Sequence, residues 1–132
     1  MTQALTRKLP LDADVIAPDG CEVRILVQTP RGSMAHFTLG PGQIGRAVAH
    51  RTVEEVWYFL SGHGRMWRRL GGHADTVEVA AGMSVSIQLG THFQLRNDGA
   101  EPLAAIAVTM PPWPGEDEAY LVEGKWSANV GE

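Results

Sequence analysis

His50 and Glu55 are the two side chains of this sequence whose types and spacing suggest acid–base chemistry. A carboxylate beside an imidazole raises the proton affinity of the imidazole, and burial raises the proton affinity of a carboxylate. Such a pair suits removal and return of a proton on a small molecule, as in an isomerase, epimerase, cyclase or lyase. The alternative is structural. His50 would then hydrogen-bond Glu55 or the backbone, and Glu55 would be a buried carboxylate satisfied by a partner.

The segment Val53–Leu60 is predicted to be a strand that carries Glu55 among aromatic rings. Because side chains alternate along a strand, Glu55, Trp57 and Phe59 share one face. A mainly apolar, aromatic pocket of this kind suits a small apolar or aromatic ligand. The alternative is that the rings simply fill a small barrel.

The opposite face of the same segment is also apolar, since it carries Val56, Tyr58 and Leu60. A strand that is apolar on both faces needs a cover on each side. Either a partner subunit or the N-terminal arm of the same chain supplies the second cover. We predict a homodimer.

Gly and Pro residues divide the chain into short segments that favour strands, and no long helical period is visible. Several short strands between regular turn signals indicate an all-β sandwich or barrel. The predicted strands are Glu22–Gln28, Ser33–Leu39, Val53–Leu60, Arg65–Leu70, Thr76–Val79, Ser84–Gln88, Phe93–Asn97 and Leu103–Thr109.

Two spaced patterns run through the centre of the chain. They are Gly42-x5-Val48-x-His50-x4-Glu55-x6-Gly62 and Gly82-x5-Gln88-x-Gly90-x2-Phe93-x3-Asn97. Their spacing resembles the two sequence motifs of the cupin family. In that family the first motif supplies two His and one Glu, and the second supplies a Pro and a third His. Here Val48, Gln88 and Phe93 stand where the first His, the Pro and the last His belong.

The resemblance implies an all-β, single-domain cupin, which is a double-stranded β-helix or jelly-roll barrel. It implies one domain over residues 1–132, with a barrel core at about 20–110. An N-terminal arm over 1–19 and a Pro-rich C-terminal tail over 110–132 flank that core. The second motif would also bring Phe93 across the barrel to Trp57 and Phe59.

The resemblance also implies where a metal would be held. Metal-binding cupins hold one divalent ion with four inward side chains, and those positions are Val48, His50, Glu55 and Phe93 here. Two of the four ligands remain, so neither a metal nor another cofactor is expected. If a divalent metal is bound, a β-bulge must turn His92 inward, so that His50, Glu55 and His92 hold it. Dioxygenase chemistry is therefore ranked below ligand binding and below acid–base catalysis.

The segment Arg65–Leu70 allows two strand registers. Burying one arginine costs less than burying two, so Met66, Arg68 and Leu70 are predicted to face inward. Arg68 would then pair with Glu55 or with an anionic ligand; the alternative is a solvated basic strand. In the tail, Trp113 or Trp126 is expected to pack back on the barrel. The predicted ligand-binding residues are Trp57, Phe59, Phe93, Arg68 and Trp113.

Composition narrows the classes of function. The 132 residues are 44% hydrophobic and 20% charged, which indicates one globular domain. A formal net charge of −4 argues against a nucleic-acid binder. No stretch approaches the roughly 18 apolar residues of a membrane span, and Met1–Leu9 lacks the apolar run of a signal peptide. Cys21 is the only cysteine, so no internal disulfide can form, and a cytoplasmic protein with a small-molecule partner is expected.

Overall fold

The computed structural model describes residues 4–130, which form two antiparallel β-sheets and contain no α-helix. Among these residues, no helix is long and apolar enough to span a membrane. The strands are β1 (Val15–Ile16), β2 (Glu22–Thr29), β3 (Gly32–Leu39), β4 (Val48–His50), β5 (Glu54–Ser61), β6 (His63–Leu70), β7 (His73–Ala80), β8 (Ser84–Ile87), β9 (His92–Asn97), β10 (Leu103–Met110) and β11 (Ala119–Leu121).

The first sheet has the strand order β1-β2-β3-β10-β5-β8, and the second has the order β11-β4-β9-β6-β7. Their inner faces share one apolar core, to which Trp57 contributes from the first sheet and Met66 and Phe93 from the second. All eight predicted strands are present, with ends shifted by a few residues. The predicted all-β fold is confirmed. The sequence did not predict the short strands β1, β4 and β11.

Strand β5 shows the alternation that the sequence predicted. Glu55, Trp57 and Phe59 are buried, whereas their neighbours Val56 and Tyr58 are about half exposed. The pleat of the strand sends successive side chains to opposite faces, so Glu55 enters the barrel together with the aromatic rings.

The N-terminal arm lies over β2 and β3. The guanidinium of Arg24 donates hydrogen bonds to the backbone carbonyls of Pro10 and Leu11 at 3.0 and 2.8 Å. The arm therefore leaves the outer face of β5 half exposed. It does not supply the second cover that the apolar residues of this strand were expected to need.

The chain beyond residue 110 forms part of the barrel. Strand β11 pairs with β4 and extends the second sheet. Near the end of the described chain, Val130 is buried in the core and packs on Gly20. A Cβ atom at Gly20 would clash with the side chain of Val130, and the φ of Gly20 is +98°, so glycine is favoured here. Residues beyond 110 thus contribute to the second sheet and to the core.

Gln94 fixes the tail to the outer face of the second sheet. Its side-chain amide donates to the carbonyls of Gly45 and Trp126 at 2.8 and 2.9 Å. Its Oε1 accepts from the backbone amides of Lys125 and Trp126 at 2.9 and 3.0 Å. Gln94 is almost fully buried, so these four bonds account for all of its strong hydrogen-bonding groups.

Candidate functional site

Four elements meet at one end of the barrel and bring together five side chains, which we call the barrel site. Strand β4 ends at His50, Glu55 lies at the start of β5, β9 carries Phe93, and the tail that follows β10 carries Trp113. The barrel site consists of His50, Glu55, Trp57, Phe93 and Trp113.

Glu55 is held by two uncharged donors inside the barrel. The indole N–H of Trp57 donates to Oε1 at 2.9 Å, and the hydroxyl of Thr109 donates to Oε2 at 2.6 Å. Thr109 is the register partner of Glu55 on β10, and all three side chains are buried. The carboxylate is satisfied without a cation. The expected pairing of Glu55 with His50 or with Arg68 is not formed among the described residues.

His50 lies between two aromatic rings. Its imidazole is edge-on to Phe93 and to Trp113, with both ring centroids 5.3 Å away. The side chain is only 7% exposed, and its Nδ1 has no hydrogen-bond partner among the residues that the structure describes. A buried polar atom without a partner is uncommon in a folded protein and calls for an explanation.

The aromatic rings at this end of the barrel contact one another. Trp57 stacks on Phe37 with a centroid distance of 5.1 Å and an interplanar angle of 14°. It meets Phe93 edge-on at 6.0 Å and Phe59 at 6.1 Å. Phe59 is completely buried in the core cluster, farther along β5 from Glu55. The predicted aromatic residues Trp57, Phe59 and Phe93 are therefore together inside the barrel.

Arg68 has the predicted register but a different partner. Met66 on the same face is buried, as the inward register requires. The guanidinium of Arg68 donates to both carboxylate oxygens of Asp75, at 3.1 and 2.9 Å, and to the carbonyl of Ser86 at 3.0 Å. Asp75 faces Arg68 across the β6–β7 hairpin, so this local pair forms in place of the expected pairing with Glu55.

A second buried carboxylate, Asp19, is one that sequence reasoning missed. The pKa of Asp19 is raised above its ordinary value, mainly because the carboxyl is buried. Hydrogen bonds from Cys21 act to lower it, and the charges of Glu55 and His50 have smaller, opposite effects. The backbone amide of Cys21 donates to Asp19 Oδ1 at 3.0 Å. Burial, and then the charge of Asp19, raise the pKa of the Cys21 thiol well above its usual value, so Cys21 is not a reactive thiolate. In the sequence, Asp19 stands between Pro18 and Gly20, and residues of these types indicate only a turn.

Glu118 is a third acidic residue near His50, and it stabilises the turn after β4. Its carboxylate accepts from the amides of Thr52 and Val53, at 2.6 and 2.9 Å, and from the Thr52 hydroxyl. Burial acts to raise the pKa of Glu118, but these hydrogen bonds outweigh it and the pKa is lowered. No motif spacing marks either Glu118 or Thr109, because tertiary pairing alone brings them to His50 and Glu55.

A protein-family model described as a cupin domain matches residues 35–109, which is more than half of the chain. The chain belongs to the cupin family. The match spans β3 to β10 and includes the two spaced patterns that carry His50, Glu55 and Phe93.

The relatives that we compared with this cupin share less than a quarter of their aligned residues with it. It is 24% identical over 102 residues to the mannose-1-phosphate guanylyltransferases of Klebsiella pneumoniae and Escherichia coli, covering 77% of this chain and about a fifth (21%) of theirs. Oxalate decarboxylase from Bacillus subtilis superposes with a TM-score of 0.69 at 22% identity, covering 81% of this chain and 29% of that one. A Klebsiella pneumoniae protein with a double-stranded β-helix domain superposes with a TM-score of 0.63 at 20% identity, covering 79% and 85%. These structural likenesses show the fold alone.

The side chains of this cupin do not fit the metal that the fold family implies. Oxalate decarboxylase contains Mn(II) centres. Here Val48 and Phe93 face each other in the β4–β9 pair, and both oxygens of Glu55 already accept hydrogen bonds. His92 cannot complete a set, because β9 runs without a register shift and places it opposite Arg69, on the face away from Phe93. Within residues 4–130, no three His, Cys, Asp or Glu side chains are grouped so as to hold a metal ion.

Proposed function

We propose that this cupin binds a small aromatic or apolar molecule that carries one hydrogen-bonding group, and that it binds it at the barrel site. The observation that carries the proposal is the unpartnered Nδ1 of buried His50 between the rings of Phe93 and Trp113. Leaving such an atom unpaired costs about 1–3 kcal/mol. A ligand group that bonds to Nδ1 removes that cost, and the two rings provide the apolar contacts.

The position of Trp113 supports a route into the site. His50, Glu55, Trp57 and Phe93 are buried, whereas Trp113 is 38% exposed at the end of the barrel. Trp113 lies in the tail, after β10 has ended, and its backbone amide is bonded to the Ser33 hydroxyl at 2.9 Å. Its side chain can therefore move aside without breaking the pairing of a strand.

The proposal is tested by screening monocyclic aromatic molecules that each carry a hydroxyl, amide or carboxyl group. Saturation-transfer NMR detects binding, and calorimetry then measures the affinity. His50→Phe keeps a ring against Phe93 and Trp113 but removes both nitrogens. We expect it to weaken the best binder at least tenfold, which corresponds to about 1.4 kcal/mol. The matched variant His73→Phe, at an exposed position on β7, should bind as the wild type does. Failure of every molecule to bind, or equal binding by His50→Phe, would contradict the proposal.

Acid–base catalysis is the second candidate, of the isomerase, cyclase or lyase type. The observation in its favour is that the buried imidazole of His50 and the buried carboxylate of Glu55 lie among the same aromatic rings inside the barrel. Proton transfer would use the free Nδ1 of His50. Incubating each bound molecule with the protein in D2O separates the candidates, because deuterium enters a carbon position of the molecule only if a proton is removed and returned.

We also propose that the protein is a cytoplasmic homodimer that pairs through the outer face of β5. Val56, Tyr58 and Leu60 remain about half exposed on that face, and Met34 adds to the apolar surface from β3. Exposed apolar surface of this kind marks protein–protein contact sites.

Leu60→Lys should convert the dimer into a monomer, because it puts a charge into the apolar row of β5. Leu60 is 45% exposed. Leu121→Lys is the matched control, since Leu121 is 62% exposed on the edge strand β11 of the other sheet. Sedimentation velocity at micromolar concentration measures the mass of each protein. A monomeric wild type, or a Leu60→Lys variant that stays dimeric, would disprove this interface.

A further inference from the structure

A groove of about 770 Å³ lies outside the barrel, between the N-terminal arm and the outer face of β2 and β3. Its volume is within the range of small-molecule sites. The arm contributes Lys8, Leu9 and Leu11 to its wall. The groove is separate from the barrel site, because Arg24, His36 and Thr38 on its floor point away from the core side chains Val23 and Phe37.

Hydrogen bonds to β2 hold the N-terminal arm beside the groove. Arg24 bonds the carbonyls of Pro10 and Leu11. Asp14 accepts from the amide of Ile25 at 2.7 Å and forms an ion pair with Arg7 at 3.2 Å. The hydrogen bond from Ile25 and the one from Arg7 lower the pKa of Asp14, so this anchor is ionised at neutral pH. The arm is therefore fixed at two points beside the groove.

His36 gives the floor of the groove unused hydrogen-bonding capacity. The residue is only 8% exposed, and its Nδ1 has no partner among the described residues. Burial, together with the charge of Arg24, lowers the pKa of His36 and keeps the imidazole neutral at pH 7. A neutral imidazole can both donate and accept a hydrogen bond.

The charges of the groove favour an anion. Lys8 and Arg24 are cations, and Glu22 is the one acidic residue of its lining, 3.7 Å from the guanidinium of Arg24. The lining thus has a net charge of +1 in a chain whose formal net charge is −4. The rest of the lining is largely apolar and includes Leu9, Leu11 and Pro102.

We infer that this groove is a second ligand site, which takes a small carboxylate with an apolar body. The carboxylate lies against Lys8, Arg24 and His36, and the apolar body lies against Leu9, Leu11 and Pro102. This inference does not rest on the function proposed for the barrel site, and substitution of His50 leaves it unaffected.

Octanoate is the probe, and octanol is its uncharged counterpart of equal chain length. Titration of the full chain is followed by NMR, through the imidazole signals of His36 and the methyl signals of Leu9 and Leu11. We expect saturable shifts of these signals with octanoate at millimolar concentration, and at least fivefold weaker binding of octanol.

Two variants test the contribution of the charge and the imidazole. Lys8→Glu, at an exposed position, should weaken octanoate about fivefold, because an exposed ion pair contributes up to about 1 kcal/mol. Lys125→Glu reverses the other lysine of the chain, on the opposite sheet, and should leave binding unchanged. His36→Phe keeps the ring and should also weaken octanoate. Equal binding of octanoate and octanol, equal effects of the two lysine variants, or shifts confined to residues outside the groove would overturn the inference.

Discussion

Trp57→Ala should lower the free energy of unfolding by about 3–5 kcal/mol, the usual cost of removing a large buried aromatic side chain. Trp57 is almost fully buried between Phe37, Phe59 and Phe93. Its removal leaves a cavity at the centre of the barrel. It also removes the indole N–H that donates to Glu55 at 2.9 Å, so the buried carboxylate loses one of its two donors.

Trp57→Phe separates the two contributions to this loss. Phenylalanine keeps a ring among the neighbouring aromatic side chains but cannot donate to Glu55. Leaving that oxygen without a donor costs about 1–3 kcal/mol, so this variant should lie between the wild type and Trp57→Ala. Urea unfolding, followed by far-UV circular dichroism, measures all three proteins. A loss of less than about 1 kcal/mol for Trp57→Ala would mean that the core closes around the missing ring.

Gln94→Leu should release the C-terminal tail and lower the free energy of unfolding by about 2–5 kcal/mol, since each buried group left unpaired costs about 1–3 kcal/mol. Leucine is similar in size but leaves the carbonyls of Gly45 and Trp126, and the amides of Lys125 and Trp126, without their partner. The tail can relieve part of this cost by moving into water.

Trypsin cleavage measures whether the C-terminal tail has detached from the barrel. The peptide bond after Lys125 is held against Gln94 in the wild type and becomes accessible when the tail detaches. Mass spectrometry should therefore detect rapid cleavage after Lys125 in Gln94→Leu. Gln88→Leu is the matched control, because Gln88 is exposed just beyond β8 and should show neither the cleavage nor the loss of stability. If both variants resist trypsin as the wild type does, Gln94 does not hold the tail.

The sequence predicted the position of Glu55 but not its hydrogen-bond partners. Alternation along β5 was enough to place Glu55, Trp57 and Phe59 on one inward face, because the side-chain period of a strand is a local property. The partners of the carboxylate were not predictable in this way. The hydrogen bond from the Trp57 indole depends on the conformation of that side chain, and Thr109 becomes a neighbour through the pairing of β5 with β10.

For the rest of the barrel site, too, the sequence predicted which residues take part but not how their side chains are arranged. The spacing of the two patterns identified His50 and Phe93, and the family match confirms the frame that carries them. The sequence did not predict that His50 lies between Phe93 and Trp113. The register of β9 against β4 and β6 places Phe93 inside the barrel and turns His92 away from it. One residue of register decides whether a side chain is inside or outside.

Turn residues, strand alternation and motif spacing were enough to predict the all-β fold and the cupin family, because these patterns are local properties of the chain. The resemblance of the motifs also implied that Val48 and Phe93 stand where two metal ligands occur in that family. The folded structure was needed to show that Arg68 binds Asp75, that Glu118 lies next to the strand pair of His50, and that Gln94 holds the tail. These contacts join residues that are distant in sequence. Their partners are chosen by which strands become neighbours and by which buried polar groups would otherwise remain unpaired.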